Sequence, residues 1–274
     1  NMKNLNMYCI TIDEGHLDLI KRLGYLSVGL GKNIKSKDFI RDNTNINISK
    51  KNPFYGEYTF HYWLWKNNMN NLEDKWIGFC QYRKFWSTKK SEGALKDFNY
   101  FSEILLKEIP NEYADYDSIL GEPLYVNDFR LSKFLKHNFT KMIKNPILFF
   151  DKRKRNLRFH FDMMHGSESL SKATDLLDIS EKKDFINFLD NSVSFNPHNM
   201  FICKSKKTLK LYYDSLFPWL ERCEHEFGFK LEGYGLKRIY GFLAERYMSY
   251  WFKKYTKFKL MPIFFKDISD FKLN

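Results

Sequence analysis

The chain has 274 residues, 43% of them hydrophobic and 18% aromatic, which excludes an intrinsically disordered protein and is enough for one large α/β domain. The formal net charge is +12, but the lysines and arginines are spread along the chain and no nucleic-acid-binding motif is present. The charge therefore favours an anionic membrane surface or anionic substrates over nucleic acid.

The four cysteines are scattered and form no CxxC pair; they are Cys9, Cys80, Cys203 and Cys223. Neither a zinc site nor a disulfide framework is indicated, so a reducing cytoplasm is the expected location. No window approaches the roughly eighteen consecutive apolar residues of a membrane span. The N-terminus also lacks the apolar run of a signal peptide.

Alternation and apolar runs predict the first strands at residues 7–12 and 26–30. His16 lies in the turn after the first strand, and a lone histidine there is expected at the surface. A polar loop at residues 42–57 follows, with the candidate ligand residues Asp42, Asn43 and Asn52.

The segment 58–67 has aromatic residues at helical spacing on nearly all sides, which predicts a largely buried helix. Glu57 lies at its start. Its carboxylate could bind a ligand hydroxyl or organise backbone amides. The alternative is that it serves as a favourable negative charge in the first turn of the helix.

A short buried strand is predicted at residues 76–80, directly followed by Gln81, Tyr82, Arg83 and Lys84. Ligands of open α/β sheets bind beyond the carboxyl ends of strands. Two cations there predict a site for an anionic group such as a diphosphate, with a solvated strand end as the alternative.

A helix is predicted at residues 97–109, and Asp115 and Asp117 then form a DxD tripeptide before an apolar pair at 119–120. Two carboxylates suit Mn²⁺ or Mg²⁺. A metal-holding pair should however follow a strand, so the alternative is that Arg83 and Lys84 neutralise the anion without a metal.

A mostly helical region is predicted between about 127 and 190, with helices at residues 128–144, 169–177 and 184–189. Between the first two, a cationic run alternates with apolar pairs. That mixture suits a flap on the acceptor side or a patch on a membrane, and a solvated basic loop is the alternative.

Residues 194–204 predict a polar approach into a short buried strand, and a core helix follows at 205–225. A further helix carries Arg238, Glu245 and Arg246. Without other information, adjacent Glu and Arg side chains would be expected to tie this helix to its neighbours. The basic, aromatic tail at 252–274 predicts a last strand at 257–264 or a membrane-docking segment.

Four motifs in these segments resemble a bacterial family, domain-of-unknown-function family 4422, whose members occur among capsule and exopolysaccharide synthesis proteins and are regarded as glycosyltransferases. They are NIS.KN..YGE.T..YW.WKN (47–67), IG..QYRKF (77–85), NMFI (199–202) and R..GFL.ER (238–246). The family has His-Tyr-Arg-Arg where this chain has Gln81-Tyr82-Arg83-Lys84, so both ends of the tetrad differ.

The resemblance implies a single α/β domain over residues 1–274, of the nucleotide-sugar-binding (GT-A-like) type, with a mainly parallel central sheet and a helical acceptor-side insertion at 127–190. It implies transfer, expected to be inverting, of a sugar from a UDP-sugar donor, with galactofuranose-type donors included. The acceptor would be a hydroxyl of a growing capsular or exopolysaccharide chain, or a lipid-linked oligosaccharide. The expected location is cytoplasmic, at the inner face of the inner membrane.

The resemblance also assigns roles to residues. The expected catalytic residues are Glu245, as the base, and His165. The expected donor-binding residues are Asp42, Asn43, Asn52, Glu57, Gln81, Tyr82, Arg83, Lys84, His198, Asn199, Arg238 and Arg246. The expected acceptor-binding residues are His160, Asp162 and Glu168. Mn²⁺ or Mg²⁺ would be held by Asp115 and Asp117. The alternative function is a non-catalytic glycan-binding or polysaccharide-assembly protein that has kept the fold, which the change to Gln81 favours.

Overall fold

The computed structural model describes residues 4–90, 97–127, 154–166 and 168–271. The strands are β1 (Leu5–Thr11), β2 (Leu26–Gly29), β3 (Trp76–Gln81), β4 (Lys84–Trp86), β5 (Ser118–Gly121), β6 (Leu124–Tyr125), β7 (Ser194–Phe195), β8 (Phe201–Cys203), β9 (Phe258–Met261) and β10 (Ile263–Phe265). The helices are α1 (Leu17–Arg22), α2 (Asn52–Tyr55), α3 (Tyr58–Asn67), α4 (Phe98–Ile104), α5 (Leu157–His165), α6 (Ser169–Asp175), α7 (Ile179–Asn191), α8 (Lys206–Phe227), α9 (Tyr234–Lys237) and α10 (Ile239–Tyr255).

The central sheet contains eight strands within the described residues, and β6 pairs with β7 separately. The parallel pairs β1–β2, β1–β3 and β5–β9 each align four residues or more. The antiparallel pairs align three at most. The predicted α/β fold with a mainly parallel sheet is therefore confirmed.

The side chains of β3 alternate between two hydrophobic cores on opposite faces of the sheet. Ile77 and Phe79 belong to the core that also contains residues of α3, α8 and α10. Trp76 and Cys80 belong to the core built with residues of α1 and α4. Both faces of the strand are apolar because both are covered, as is typical of parallel sheets.

The strand directions bring the polar segments of the sequence to one edge of the sheet. β3 runs parallel to β1, and β8 runs antiparallel to both β3 and β5. The carboxyl ends of β1, β3 and β5 therefore lie at the same edge as the amino end of β8. Residues 81–84 and 198–199 meet there for this reason.

The aromatic segment forms α3 with the predicted bounds, and Tyr58, Phe60 and His61 are buried. The His61 ring lies 4.3 Å from the Phe79 ring, and its Nδ1 is 2.6 Å from the Tyr213 hydroxyl. Burial lowers the pKa of His61 to about 3. His61 is therefore a neutral core residue.

Three sequence-based expectations differ from the structure. The helix predicted at 97–109 ends at Ile104. The backbone after it is extended, because the Leu106 N–H donates to the carbonyl of Trp86, the last residue of β4. The strand predicted at 257–264 is divided into β9 and β10 by Pro262, which lacks an N–H. His16 is buried, between the hydroxyls of Thr11 and Ser269.

The helical character of the region 127–190 is observed in α5, α6 and α7. The helix predicted at 128–144 and most of the basic segment after it lie outside the described residues. Among the helices that the structure describes, none combines the length and the apolarity needed to cross a bilayer.

Candidate active site

Gln81, the last residue of β3, connects two other segments of the predicted site. Its side-chain amide Nε2 donates to Glu57 Oε1 at 3.0 Å and to the His198 carbonyl at 3.1 Å. Glu57 makes no capping hydrogen bond to its own helix, although it occupies the N-cap position of α3. Its carboxylate is instead directed towards the sheet edge.

The backbone at His198 and Asn199 adopts the left-handed region, with φ of 75° and 53°. Histidine and asparagine are among the non-glycine residues enriched there, although each such position costs about 1–3 kcal/mol. In this conformation the His198 N–H donates to Glu245 Oε2 at 2.6 Å, and Asn199 Nδ2 donates to the Gly241 carbonyl at 3.2 Å. A continuous chain of hydrogen bonds thus connects Glu57, Gln81, the His198 backbone and Glu245.

Glu245 and Arg246 form a buried ion pair on α10. Arg246 Nη1 lies 2.8 Å from Glu245 Oε1, and only 2% of Arg246 is exposed. The guanidinium lies 4.4 Å from the centre of the Phe195 ring, and its Nη2 is 3.4 Å from His160 Nδ1. Burial and the charge of Arg246 lower the pKa of His160 to about 3, so the ring is neutral at pH 7.

The pKa of Glu245 is raised above its ordinary value by burial. Arg246 and the His198 N–H oppose this shift, and the charge of Glu57 adds to it. A carboxylate that is kept ionised by a partner but is more basic than usual is suited to accept a proton.

Glu245 and Arg246 line a cavity of about 390 Å³. The other lining residues are Leu124, His160, Met164, His165, Phe195, Pro197, His198 and Phe242. The His165 ring stacks on the Phe242 ring at 4.0 Å. The cavity therefore has an aromatic wall, three histidines and one basic carboxylate.

Two of the expected acceptor-binding residues lie outside this wall. Asp162 is half-buried on α5, the helix that contributes His160 and His165, and Glu168 is exposed before α6. The structure thus brings His160 and His165 to Glu245 but not Asp162 or Glu168.

Several cations also lie close enough to Glu245 to interact with it or with each other electrostatically. Lys84 is half-buried, and burial lowers its pKa while Glu57 and Glu245 oppose that shift. The neighbouring positive charges of Arg83 and Arg238 also lower it. Lys84 has no salt-bridge partner among the described residues. Its charge is therefore available to an anion.

Arg83 is exposed, with its guanidinium 4.9 Å from the Tyr82 ring centre. Tyr82 itself packs its ring against His16, at 5.1 Å. The turn between β3 and β4 thus presents an arginine that is supported by an aromatic ring. Planar guanidinium groups of this kind recognise phosphate oxygens in a bidentate manner.

The two polar residues Asp42 and Asn52 form hydrogen bonds around the start of α3. Asn52 Nδ2 donates to the Gly56 carbonyl at 2.9 Å. Asp42 is 1% exposed; burial raises its pKa, and a hydrogen bond with the Thr59 side chain opposes the shift. Both residues therefore stabilise the helix start beside Glu57, whereas Asn43 is exposed.

Asp115 and Asp117 are not brought to this edge. They precede β5, so they lie at its amino end, across the sheet from the carboxyl ends of β1 and β3. Both are exposed, and Asp117 Oδ2 accepts a hydrogen bond from the Lys257 N–H at 2.9 Å.

The candidate site itself does not fit a divalent cation. Its carboxylates, Glu57 and Glu245, are bonded to Gln81, Arg246 and backbone, and they are surrounded by cations. The part of the chain that the structure describes contains no cluster of three His, Cys, Asp or Glu side chains able to hold a metal.

We expect Gly56→Ala to destabilise the fold and to displace Arg238. Gly56 has φ of 58° and ψ of −136°, a conformation almost limited to glycine. An added Cβ would also lie 2.5 Å from Arg238 Nη2. The free energy of unfolding should fall by about 1–3 kcal/mol in urea titrations, from the backbone strain alone.

Gly24→Ala is the matched control, because Gly24 also has a positive φ, of 77°, but no atom lies within 4 Å of its Cβ position. Both variants should lose stability from backbone strain, but Gly56→Ala should lose more, because its methyl group also displaces Arg238. An equal loss of stability in the two variants would show that the contact with Arg238 adds nothing to the strain.

Several residues of the site escaped the sequence interpretation. Phe242 precedes Glu245 by three positions on α10, and this helical spacing places both on one face. The motif itself therefore contained that signal. Phe195 comes from a strand of two residues, which is too short to show a period, and nothing in the pattern pointed to it.

Comparison with known proteins supports this arrangement at the level of family and fold. A search of curated proteins found no match. Among solved structures, the apo structure of the WbbM bifunctional glycosyltransferase is similar, with a TM-score of 0.58 and 21% sequence identity. The match covers 96% of this chain but 45% of that one, so this chain spans less than half of the relative's length. The fold is consistent with the GT-A-like fold expected from the sequence.

The family comparison covers most of the chain. The model of the domain of unknown function DUF4422 matches residues 10–257. That range includes all four motifs and every residue of the candidate site described above. The chain therefore belongs to the DUF4422 family.

Proposed function

We propose that this protein is a glycosyltransferase that moves a sugar from a UDP-sugar donor to a hydroxyl of a growing capsular or exopolysaccharide chain. The observation that carries the proposal is the position of Glu245. It lines an aromatic-walled cavity and interacts with the cation of Lys84, and its carboxylate is buried and more basic than usual. The cavity suits a glycan, and the cations around Lys84 suit a diphosphate.

The proposed reaction is an inverting displacement. The acceptor hydroxyl, bound in the cavity, attacks the anomeric carbon of the donor sugar, and its proton passes to Glu245. The bond between that carbon and the diphosphate oxygen breaks on the opposite face, and UDP leaves. The His198 N–H and Arg246 hold the Glu245 carboxylate in place, at 2.6 Å and 2.8 Å.

The donor diphosphate is proposed to bind Arg83 and Lys84, with Arg238 nearby. Fixed cations stabilise the charge that develops on a leaving diphosphate, as a metal ion does in other enzymes. This proposal makes the reaction independent of Mn²⁺ and Mg²⁺. A galactofuranose-type sugar is included among the donors to be tested.

The acceptor is proposed to occupy the cavity of Glu245, His160 and His165. The stacked pair of His165 and Phe242 offers an aromatic surface to the apolar face of a sugar ring. A lipid-linked oligosaccharide would present such a sugar at the cytoplasmic face of the inner membrane, which is the proposed working position of the enzyme.

The test of the proposed function is calorimetric titration of the purified protein with UDP, GDP, CMP and uridine, each with and without Mn²⁺. Selective binding of UDP that does not depend on Mn²⁺ is the expected result. Binding of UDP only with Mn²⁺ would contradict the role of the fixed cations. Binding of no nucleotide would favour the alternative, a glycan-binding protein without transferase activity.

We expect Arg83→Ala to weaken the binding of UDP far more than the binding of uridine, because the guanidinium would contact only the diphosphate. Hydrogen bonds to charged groups contribute about 1.5–3 kcal/mol, so UDP affinity should fall roughly 10- to 100-fold. Arg222→Ala is the control, since Arg222 is an arginine of α8 that pairs with Asp178 and does not belong to the turn between β3 and β4. Equal weakening of UDP and uridine by Arg83→Ala would contradict the assignment.

A further inference from the structure

A second cavity, of about 480 Å³, lies beside Arg83 and Lys84 and is walled by the C-terminal part of the chain. The wall contains Arg83, Lys84, Phe265, Lys266, Asp267 and Asp270. Three of these six residues are cationic. The C-terminal segment at residues 265–270, which the sequence analysis placed in the basic, aromatic tail after the predicted strand 257–264, thus reaches the proposed donor site.

Backbone pairing fixes this segment beside the cationic turn. Phe265 is paired with Lys84 in the β10–β4 ladder, and the Lys266 N–H donates to the Arg83 carbonyl at 3.2 Å. The Ile268 N–H donates to the Tyr82 carbonyl at 3.0 Å. Lys266 therefore has a defined position next to Arg83.

A side-chain contact also anchors the segment to the first strand. The Ser269 hydroxyl lies 2.6 Å from His16 Nε2, and the other ring nitrogen of His16 lies 2.8 Å from the Thr11 hydroxyl at the end of β1. The buried His16 thus connects the C-terminal segment to the carboxyl edge of the sheet. This explains why a lone histidine after β1 is buried.

The Lys266 side chain is 20% exposed, and its ammonium lies 2.9 Å from Asp270, whose side chain is 59% exposed. A partly exposed pair of this kind contributes little to stability, so an anion of higher charge can compete with Asp270 for the ammonium. Phe265 is 61% exposed, and its ring lies 5.2 Å from the His198 ring. The cavity therefore brings three cations and the carboxylates of Asp267 and Asp270 together with the Phe265 ring, which packs on His198.

We propose that Lys266 is a third cation of the diphosphate site and that Asp270 holds its ammonium when no ligand is bound. On binding, the diphosphate replaces Asp270 as the partner of Lys266, while Arg83 and Lys84 contact the same group. The ligand class is a nucleoside diphosphate or its sugar ester, and this inference rests on the proposed function.

The test compares three variants by calorimetric titration with UDP and with uridine. Lys266→Gln should lower the affinity for UDP roughly tenfold, because one charged contact is lost, and should leave the affinity for uridine unchanged. Asp270→Asn should raise the affinity for UDP about two- to fivefold, because it removes the carboxylate that competes for Lys266. Lys210→Gln is the matched control: Lys210 forms the same i,i+4 pair with Asp214 on α8, and UDP affinity should not change.

The outcomes separate the two proposals. If the wild-type protein binds no UDP, the proposed function fails and this inference fails with it. If the wild type binds UDP and Arg83→Ala weakens it, but Lys266→Gln does not, only the inference is overturned. If Lys266→Gln loses binding to vesicles of anionic lipid but keeps its affinity for UDP, the inference is also overturned, and Lys266 is instead a membrane-binding residue. If Lys266→Gln does not fold, unchanged or weaker UDP binding by Asp270→Asn overturns it.

Discussion

Glu245→Gln is expected to lower kcat by about 10²–10⁴-fold and to leave UDP affinity nearly unchanged. A positioned general base contributes rate enhancements of that size. Glutamine keeps the shape of the side chain and still accepts a hydrogen bond from the His198 N–H, but it takes no proton. UDP release from a UDP-sugar in the presence of acceptor glycan measures kcat, and calorimetry measures UDP affinity.

Glu181→Gln is the matched control for this substitution. Glu181 is also a buried carboxylate bonded to α10, through Tyr250 and Lys254, but it lies outside the cavity of Glu245. Its variant should keep kcat. A Glu245→Gln enzyme with unchanged kcat would remove Glu245 from the mechanism.

The pH dependence of the wild type tests the same role. The base must be deprotonated to act, so kcat/KM should fall as the pH decreases through the pKa of Glu245. Because burial raises that pKa, the fall should be centred above the value of about 4.3 for an ordinary glutamate. The Glu245→Gln enzyme should lose this acidic limb, and an unaltered limb would assign it to another group.

Arg246→Met is expected to have the largest effect on stability. The substitution leaves Glu245 buried without its cation, and breaking a buried pair in this way costs about 3–5 kcal/mol. Methionine has a length that still fits between the rings of Phe161 and Phe195. The free energy of unfolding is measured by urea titration at pH 7.

A double-mutant cycle separates the charge from the packing. The double variant of Glu245→Gln with Arg246→Met removes both charges, so it should be more stable than Arg246→Met alone. The pKa of Glu245 should also rise further in Arg246→Met, which moves the acidic limb of kcat/KM to higher pH. A double variant that is as unstable as the sum of the single changes would show that the two side chains are not coupled.

Much of the fold was readable from local pattern. Apolar runs located β1, β2 and β3, and aromatic residues at helical spacing located α3 with its observed bounds. Where a pattern failed, long-range contacts were responsible: the helix predicted to reach residue 109 ends at Ile104, since the chain beyond it bonds to the sheet region.

The sequence by itself determined the α/β class, the family motifs and the residue types of the proposed diphosphate and proton-transfer site, because these depend on spacing along the chain. The tertiary structure alone decided which of those residues meet. Strand direction places Gln81 and His198 at one edge and Asp117 at the other, and Glu245 of α10 bonds to His198 there. The ladder of β10 with β4 brings Lys266 beside Arg83. Such proximity follows from sheet order and register, which join residues far apart in the chain and leave no periodic signal in it.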